Sequence, residues 1–425
     1  MVKVAPGAST GGAATLSPRL LFGSYHGYLD PSSGAATATR DLLELLASHG
    51  WNTRVLCGPA LDFERGESLA QLLSDQGIPF EERTCGAGPV PFSLFHFRQN
   101  GVPVSAFRPS GPGRKVPSSE EGATFLAMFE RILEESPPDV LLTYGGHWLA
   151  SEVIGRARRR GIAVVFALHN FEYRDARLFQ HVDAVLVPSQ YCADHYRRTL
   201  GLECTAIPSP LNWSRVRCDP GNGAGYVTFV NPQPNKGVFV FVRIAHELGR
   251  RRPDIPLLIV EGRGGADWLA RTGLDLSGLE NLHVMANTPD PRDFYRASRL
   301  LLMPSLWRES FGRVAAEALL NGIPVLGSRR GALPEVLGEA GLLLDIHDRY
   351  TPNTRRVPTA EEVAPWVDAV IRLWDDPALY AEERRRCLAA AEAWRPDRLA
   401  GEIRRLFSAS APFPPVRLPP RTKRR

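Results

Sequence analysis

The feature that most constrains this chain is a series of short apolar runs alternating with helical patterns, broken once and then resumed. Leu20-Leu21-Phe22-Gly23 precedes a helical pattern near Ala35–His49, and Thr53–Cys57 follows it. Asp139–Thr143, a helix near Trp148–Arg160, Ile162–Leu168, Ala184–Val187 and Thr205–Ile207 continue the series. Residues 86–118, rich in Gly, Pro and Phe, interrupt it and read as an irregular insertion. The stretch Pro208–Gly225, dense in Pro, Gly, Asn and Ser, stops the alternation. It restarts with Tyr226–Val230, a helix to Leu248, Pro256–Val260, Leu282–Met285, Leu300–Met303, a helix after Gly312, and Ile323–Leu326. Strands alternating with helices imply parallel sheets covered on both faces. Two such series joined by a turn-rich linker predict two doubly wound α/β domains. Ligands of such sheets lie beyond the carboxyl ends of the strands, so the cleft between the domains is the expected site.

Composition narrows the class. With 425 residues and 44% hydrophobic content, the chain can bury a large core and is long for one domain. No window holds the run of about 18 apolar residues that a membrane span needs. Met1–Arg19 is small and polar without an apolar core segment, so no secretory signal is expected there. The formal charge of +5 suggests nucleic acid or membrane at first sight. Its source is local, however. Arg417, Arg421, Lys423, Arg424 and Arg425 fall in 409–425, which has no acid, and they leave 46 bases against 46 acids in the rest. A balanced body argues against a nucleic-acid partner. The Pro-rich tail 409–425 is expected to be disordered, or to touch an anionic membrane weakly.

The cysteines Cys57, Cys85, Cys192, Cys204, Cys218 and Cys387 are scattered without a C-x-x-C pair, which indicates neither a disulfide framework nor a zinc site and fits reducing cytoplasm. Arg158–Arg160 and Arg250–Arg252 stand just before Gly161 and Pro253, where cations complement a helix carboxyl end. Arg384–Arg386 reads as a solvated helix face, and Trp366 and Trp374 as helix-packing residues.

Chemistry concentrates in Pro304-Ser305-Leu306-Trp307-Arg308-Glu309-Ser310-Phe311-Gly312-Arg313-Val314-Ala315-Ala316-Glu317-Ala318. A strand ends at Pro304, a polar loop presents Glu309, and a helix begins near Gly312. Free backbone N–H groups and the positive end of the helix dipole then face the cleft, where an anion can bind. A plainer reading exists for each acid. Arg313 and Glu317 are an i,i+4 pair, and Glu309 is a first-turn acid that compensates the dipole.

The whole phrase resembles the E-x7-E signature of retaining glycosyltransferases of the family 4 type (group 1), which have the GT-B fold. The resemblance runs on through Gly322–Ser328 and Gly331–Val336. It implies that Glu309 contacts donor-sugar hydroxyls, that Glu317 binds the ribose, and that backbone N–H groups around Ser310, Phe311 and Gly312 meet the sugar or diphosphate. The loop Asn231-Pro232-Gln233-Pro234-Asn235-Lys236-Gly237 is similar to the family's G-R-x4-K-G loop, whose cations neutralise the departing diphosphate. Lys236 is among only four lysines (Lys3, Lys115, Lys236, Lys423) and matches that position. Asn231 replaces the family's arginine and can donate a hydrogen bond but not charge, so leaving-group stabilisation is weakened unless another cation helps, with Arg263 and Arg308 the candidates and neither singled out. His169, after Ile162–Leu168, matches a histidine that touches the donor sugar. Gly34 matches the glycine-rich loop near diphosphate and acceptor, although Ala35 follows where the family has a second glycine. His26 on the same side is a candidate for the acceptor.

No G-x4-G-K-[ST] loop and no D-x-D pair occurs, and the latter absence argues against the metal-dependent GT-A class. Expected divisions are a flexible 1–17, an acceptor-side Rossmann-like domain 18–208, a nucleotide-sugar domain 209–393, a crossover helix 394–408 that packs back on the first domain, and the tail 409–425. The expected activity is metal-independent, retaining transfer from a UDP- or GDP-sugar to an acceptor hydroxyl, with His169, Glu309 and Lys236 as catalytic residues and no further cofactor. Two alternatives stand beside it: an epimerase or phosphorylase on the same architecture, and a non-catalytic sugar-nucleotide-binding protein.

Overall fold

The computed structural model describes residues 17–30, 33–60, 69–85, 91–109, 116–218 and 225–407. The basic tail, and with it the expected membrane contact, lies outside the described residues, as does nearly all of 1–17. No helix among the described residues is long and apolar enough to cross a membrane.

The first sheet has nine strands: β1 Arg19–His26, β2 Asn52–Ala60, β3 Phe80–Cys85, β4 Phe92–Gln99, β5 Val102–Pro109, β6 Val140–Thr143, β7 Ala163–Ala167, β8 Ala184–Val187 and β9 Thr205–Ala206. Their order is β3-β4-β5-β2-β1-β6-β7-β8-β9. From β5 through β9 every pairing is parallel. Only β3/β4 and β4/β5 are antiparallel. This corrects the reading of 86–118 as irregular. The chain turns at Asn100-Gly101, both at positive φ (45° and 86°), so that Gln99 faces Val102. Asn-Gly is the pair that a two-residue hairpin with left-handed central residues selects. The next helix, Ser119–Glu135, opens with a reciprocal cap between Ser118 and Glu121. That cap is a helix-start signal carried by polar residues rather than by an apolar run.

The second sheet comprises β10 Tyr226–Val230, β11 Leu257–Val260, β12 Leu282–Met285, β13 Ser298–Met303, β14 Val325–Ser328 and β15 Leu342–Leu344, ordered β12-β11-β10-β13-β14-β15 and parallel throughout. The interior strand β11 is buried at every position, as a sheet covered on both faces requires. Helix Ala360–Asp375 buries Trp366, Val367 and Val370 against this sheet together with helix Val238–Arg251. Trp374 instead carries the Arg299 guanidinium over its ring at 4.9 Å.

The chain then crosses back. Helix Pro377–Ala391 ends in a short 3-10 turn at Glu392–Trp394, and Pro396 starts helix Pro396–Phe407. Proline suits that first position because its fixed φ fits a helix start and no N–H is needed there. Phe407 meets Trp51 edge-on at 5.8 Å, and Asp397 reaches His49 at 3.3 Å, so the last helix lies on the first lobe. The apolar core of the first sheet continues without a break into Phe311, Ala315, Ala316, Leu319 and Trp394.

Candidate active site

Strand order decides where a site can form. In each sheet the connections reverse direction beside the first strand, between β1 and β6 in one and between β10 and β13 in the other. The carboxyl ends of those strands diverge there and leave a crevice. Loops after β10, β11 and β13 meet at the second crevice, and loops after β1, β6 and β7 at the first.

Lys236 leaves the β10 loop and places Nζ 2.7 Å from Glu309 Oε1 in the β13 loop. Ser305 Oγ donates to the same oxygen at 2.8 Å. The two loops are bound together by backbone as well, since the N–H groups of Leu306 and Trp307 both donate to Asn235 O, at 2.9 and 2.8 Å. Gly331 holds the other side: a Cβ there would come within 2.3 Å of Glu309 N. Glu309 is therefore a rigidly seated, nearly buried carboxylate (8% exposed) neutralised by one lysine.

Asn231 sits at φ 64°, in the left-handed region that asparagine tolerates better than most residues. Its Oδ1 accepts from Gly264 N at 2.9 Å, which ties the β10 loop to the Gly262–Gly264 loop after β11. The asparagine thus organises backbone at the position where the resemblance puts a cation. Arg263 rides on the loop that Asn231 holds, beside this crevice. Arg308 is exposed and electrostatically coupled to His195 of the first lobe instead. Of the two candidate cations, Arg263 is the one that adjoins the Asn231 loop.

Ser310 joins the lobes. Its hydroxyl donates to His169 O at 2.6 Å, and its own carbonyl accepts from Ser189 Oγ at 2.6 Å. Glu335 adds two bonds, accepting from Gln190 N and Tyr191 N at 2.8 and 3.0 Å. Phe311 turns its ring toward Trp394 of the crossover segment, 6.1 Å away, so only its backbone is left for a ligand. Gly312 (φ 89°) starts helix Arg313–Leu320.

Glu317 lies inside that helix with both carboxylate oxygens engaged. Arg313 Nε stands 2.6 Å from Oε1, and the Tyr295 hydroxyl donates to Oε2 at 2.9 Å. The i,i+4 pair thus forms, but it is buried rather than decorative. Burial raises Glu317 above the usual carboxylate range against the pull of Arg313. Burial also opposes the charge on Arg313, yet Asp41 and Glu317 offset this and keep the guanidinium protonated.

On the first lobe, His26, Tyr144, His147 and His169 line a cavity of about 590 Å³ together with Arg174. His26 stacks on His147 at 5.6 Å and makes a 3.2 Å bond to Ser24 Oγ. Both ring nitrogens of His147 and Nε2 of His169 are enclosed without a hydrogen-bond partner among the described residues. Burial pushes His169 down to about 4, and burial with the neighbouring His26 does the same to His147. Both rings are neutral at pH 7, each able to donate at one nitrogen and accept at the other. His147 was not singled out from sequence. The visible sign was Gly145-Gly146-His147 directly after the β6 run, at a strand's carboxyl end. Gly34 opens helix Gly34–Ser48 at this cavity's edge, and a Cβ there would meet nothing within 4 Å. No packing demand explains that glycine. Among the described residues no group of three His, Cys, Asp or Glu stands in a metal-holding arrangement.

The lowered His169 value has a thermodynamic consequence. Between pH 6.5 and about 4 the unfolded chain binds a proton at this ring that the folded chain does not, so stability falls as pH falls through that window. The slope is at most about 1.4 kcal/mol per pH unit. The thermal midpoint of a His169→Gln variant is expected to depend less on pH between about 7 and 4.5 than that of the parent. Identical slopes would show that the ring is not held neutral.

Comparisons with known proteins bear on both lobes. The family described as "Glycosyl transferases group 1" matches residues 224–376, and the one described as "Glycosyl transferase 4-like domain" matches 33–208. The D-inositol 3-phosphate glycosyltransferase of Arthrobacter sp. (strain FB24) is 27% identical over 332 residues, covering 67% of this chain and 75% of that protein. Its namesake in Pseudarthrobacter chlorophenolicus is 26% identical over 371 residues, covering 76% and 84%. Among solved structures, sucrose-phosphate synthase from Thermosynechococcus elongatus superposes with a TM-score of 0.65 at 18% identity, covering 93% of this chain and all of the other. Anabaena Alr3699/HepE in complex with UDP-glucose superposes with a TM-score of 0.62 at 16% identity, covering 92% and 99%.

Proposed function

Since the chain belongs to the group 1 glycosyltransferases and moves a sugar from a nucleotide-sugar donor, we propose that it uses a UDP-sugar, retains the anomeric configuration, and glycosylates a hydroxyl of a small polar acceptor seated on the first lobe. The observation that carries this reading is the Lys236–Glu309 pair at the crevice of the second sheet, joined to His169 across the lobes through Ser310. A donor diphosphate there shares Lys236 with Glu309 and takes the loop N–H groups around Ser310–Gly312. Arg263, beside the loop that Asn231 holds, supplies the second cation. Glu317, inside the helix that starts at Gly312, takes the ribose hydroxyls.

The chemistry is a front-face substitution. The bond from the anomeric carbon to the diphosphate oxygen breaks while the acceptor oxygen bonds the same carbon from the same face. The acceptor proton passes to the departing phosphate oxygen. Lys236 and the loop N–H groups meet the charge that develops on the leaving group, in a cleft from which the apposed lobes exclude water.

The cavity lined by His26, His147 and His169 suits the acceptor. The neutral imidazoles of His147 and His169, which donate at one edge and accept at the other, match adjacent hydroxyls, and Arg174 has no carboxylate partner among the described residues. A cyclitol or its phosphate, the class in the names of the curated relatives, is the first acceptor to test.

The test is a panel of UDP-, GDP- and ADP-sugars, incubated alone and with inositol or inositol phosphate, with nucleotide release and product anomer measured. Slow hydrolysis of a UDP-sugar, accelerated by an acceptor and giving the donor's own anomeric configuration, is expected. An inverted product, or preference for a GDP- or ADP-sugar, would sink that part of the proposal.

A further inference from the structure

A buried charge cluster lies not at the crevice but behind it, where the lobes meet. Asp41 and Glu44 project from the first-lobe helix Gly34–Ser48 and are 3% and 6% exposed. Arg313 of the second lobe binds Asp41 through Nη2 and donates to Pro210 O at 3.3 Å. Arg215, on the segment between the sheets, binds Glu44 and lies 3.7 Å from Asp41. Asn212 donates to both acids, through its N–H to Asp41 at 3.2 Å and through its side chain to Glu44 at 3.0 Å. The same Arg313 grips Glu317, whose other oxygen takes the Tyr295 hydroxyl.

From this chain of contacts we infer that Asp41 is a positioning residue of the nucleotide site: through Arg313 it orients the Glu317 carboxylate, so that apposition of the lobes and donor binding are coupled. The inference rests on the reading of Glu317 as the ribose-binding residue. Its physical basis is that Arg313 is one guanidinium shared by two nearly dry carboxylates on different lobes. With Asp41 in place, Arg313 is fixed from both sides and Glu317 has one orientation. Without Asp41, the guanidinium must satisfy its remaining N–H groups elsewhere or turn wholly to Glu317, and the carboxylate follows it. Buried ion pairs add little net stability compared with apolar packing, but they fix geometry when every partner is present. Coupling also runs both ways, so a nucleotide on Glu317 must tighten the hold on Asp41.

The test uses Asp41→Asn, which keeps the hydrogen-bond acceptor and removes the charge, with UDP as the probe. UDP affinity, measured by calorimetry on the full chain, is expected to fall about tenfold, although Asp41 belongs to the other lobe. Affinity within twofold of the parent overturns the inference, whether or not the melting temperature drops, because a purely structural role moves only the latter. Should Asp41→Asn fail to fold, hydrogen exchange on the parent protein decides instead. UDP is then expected to slow exchange of amides 41–48, and unchanged exchange overturns the coupling. The donor reading fails separately. If neither UDP nor GDP binds the parent protein, both proposals fall, whereas tight UDP binding that ignores Asp41 removes only this one.

Discussion

Lys236→Ala is expected to cut sugar transfer by about two to three orders of magnitude, the usual loss when one group that stabilises a developing oxyanion is removed. The lysine has two tasks. It neutralises Glu309, whose side chain is only 10% exposed and whose other side-chain contact to the same oxygen is the Ser305 hydroxyl. It is also the cation on the β10 loop, since Asn231 carries no charge and is occupied with Gly264. Losing it leaves a buried carboxylate unpaired and takes positive charge from the departing diphosphate. Glu309 then repels that diphosphate, so the donor KM should rise as kcat falls. Lys236→Arg keeps the charge and is expected to recover part of kcat. Steady-state kinetics with the preferred donor check this, and activity within a few-fold of the parent would remove Lys236 from the site.

What the sequence made legible was local. The segment from Leu300 through Val336 combines strand, loop and helix, so its pattern carries the position of Glu309 directly. Lys236 was legible for a second local reason, because it stands out in an arginine-rich chain one residue before a glycine. The hairpin through Asn100-Gly101 was equally local, yet the Gly, Pro and Phe around it obscured the alternation of β4 and β5. The roles that went unread depend on distance in sequence. Asp41 and Arg313 lie 272 positions apart, and Tyr295 and Glu317 22 apart on different helices. Nothing in either segment alone distinguishes a clasp from a solvated charge. The crossover helix was visible only because the resemblance supplied its destination. Its amphipathic pattern says that one face is covered, not that Trp51 and His49 cover it.

Gly237→Ala should be the most damaging single-methyl change near the site. Gly237 sits at φ 87°, where a side chain is strained in any surroundings, and an added Cβ would stand 1.9 Å from Pro304 O. That oxygen is backbone at the end of β13, so it cannot swing aside as a side-chain tip would. Relief requires the β10 and β13 loops to part, which breaks the bonds from Leu306 and Trp307 to Asn235 O. Two backbone donors left unpaired, one of them on the buried Leu306, added to the φ strain, point to a loss of about 3 kcal/mol. The variant is expected to accumulate poorly or to melt far below the parent, with whatever folds unable to bring Lys236 to Glu309. Gly34→Ala supplies the contrast, since its Cβ meets nothing within 4 Å and helix positions favour alanine. That variant should melt at or above the parent's temperature. Any activity it loses then reports on a ligand approaching Gly34 rather than on the fold. Similar melting temperatures for the two variants would contradict the close approach of Gly237 to Pro304 on which the geometry of the Lys236–Glu309 pair depends.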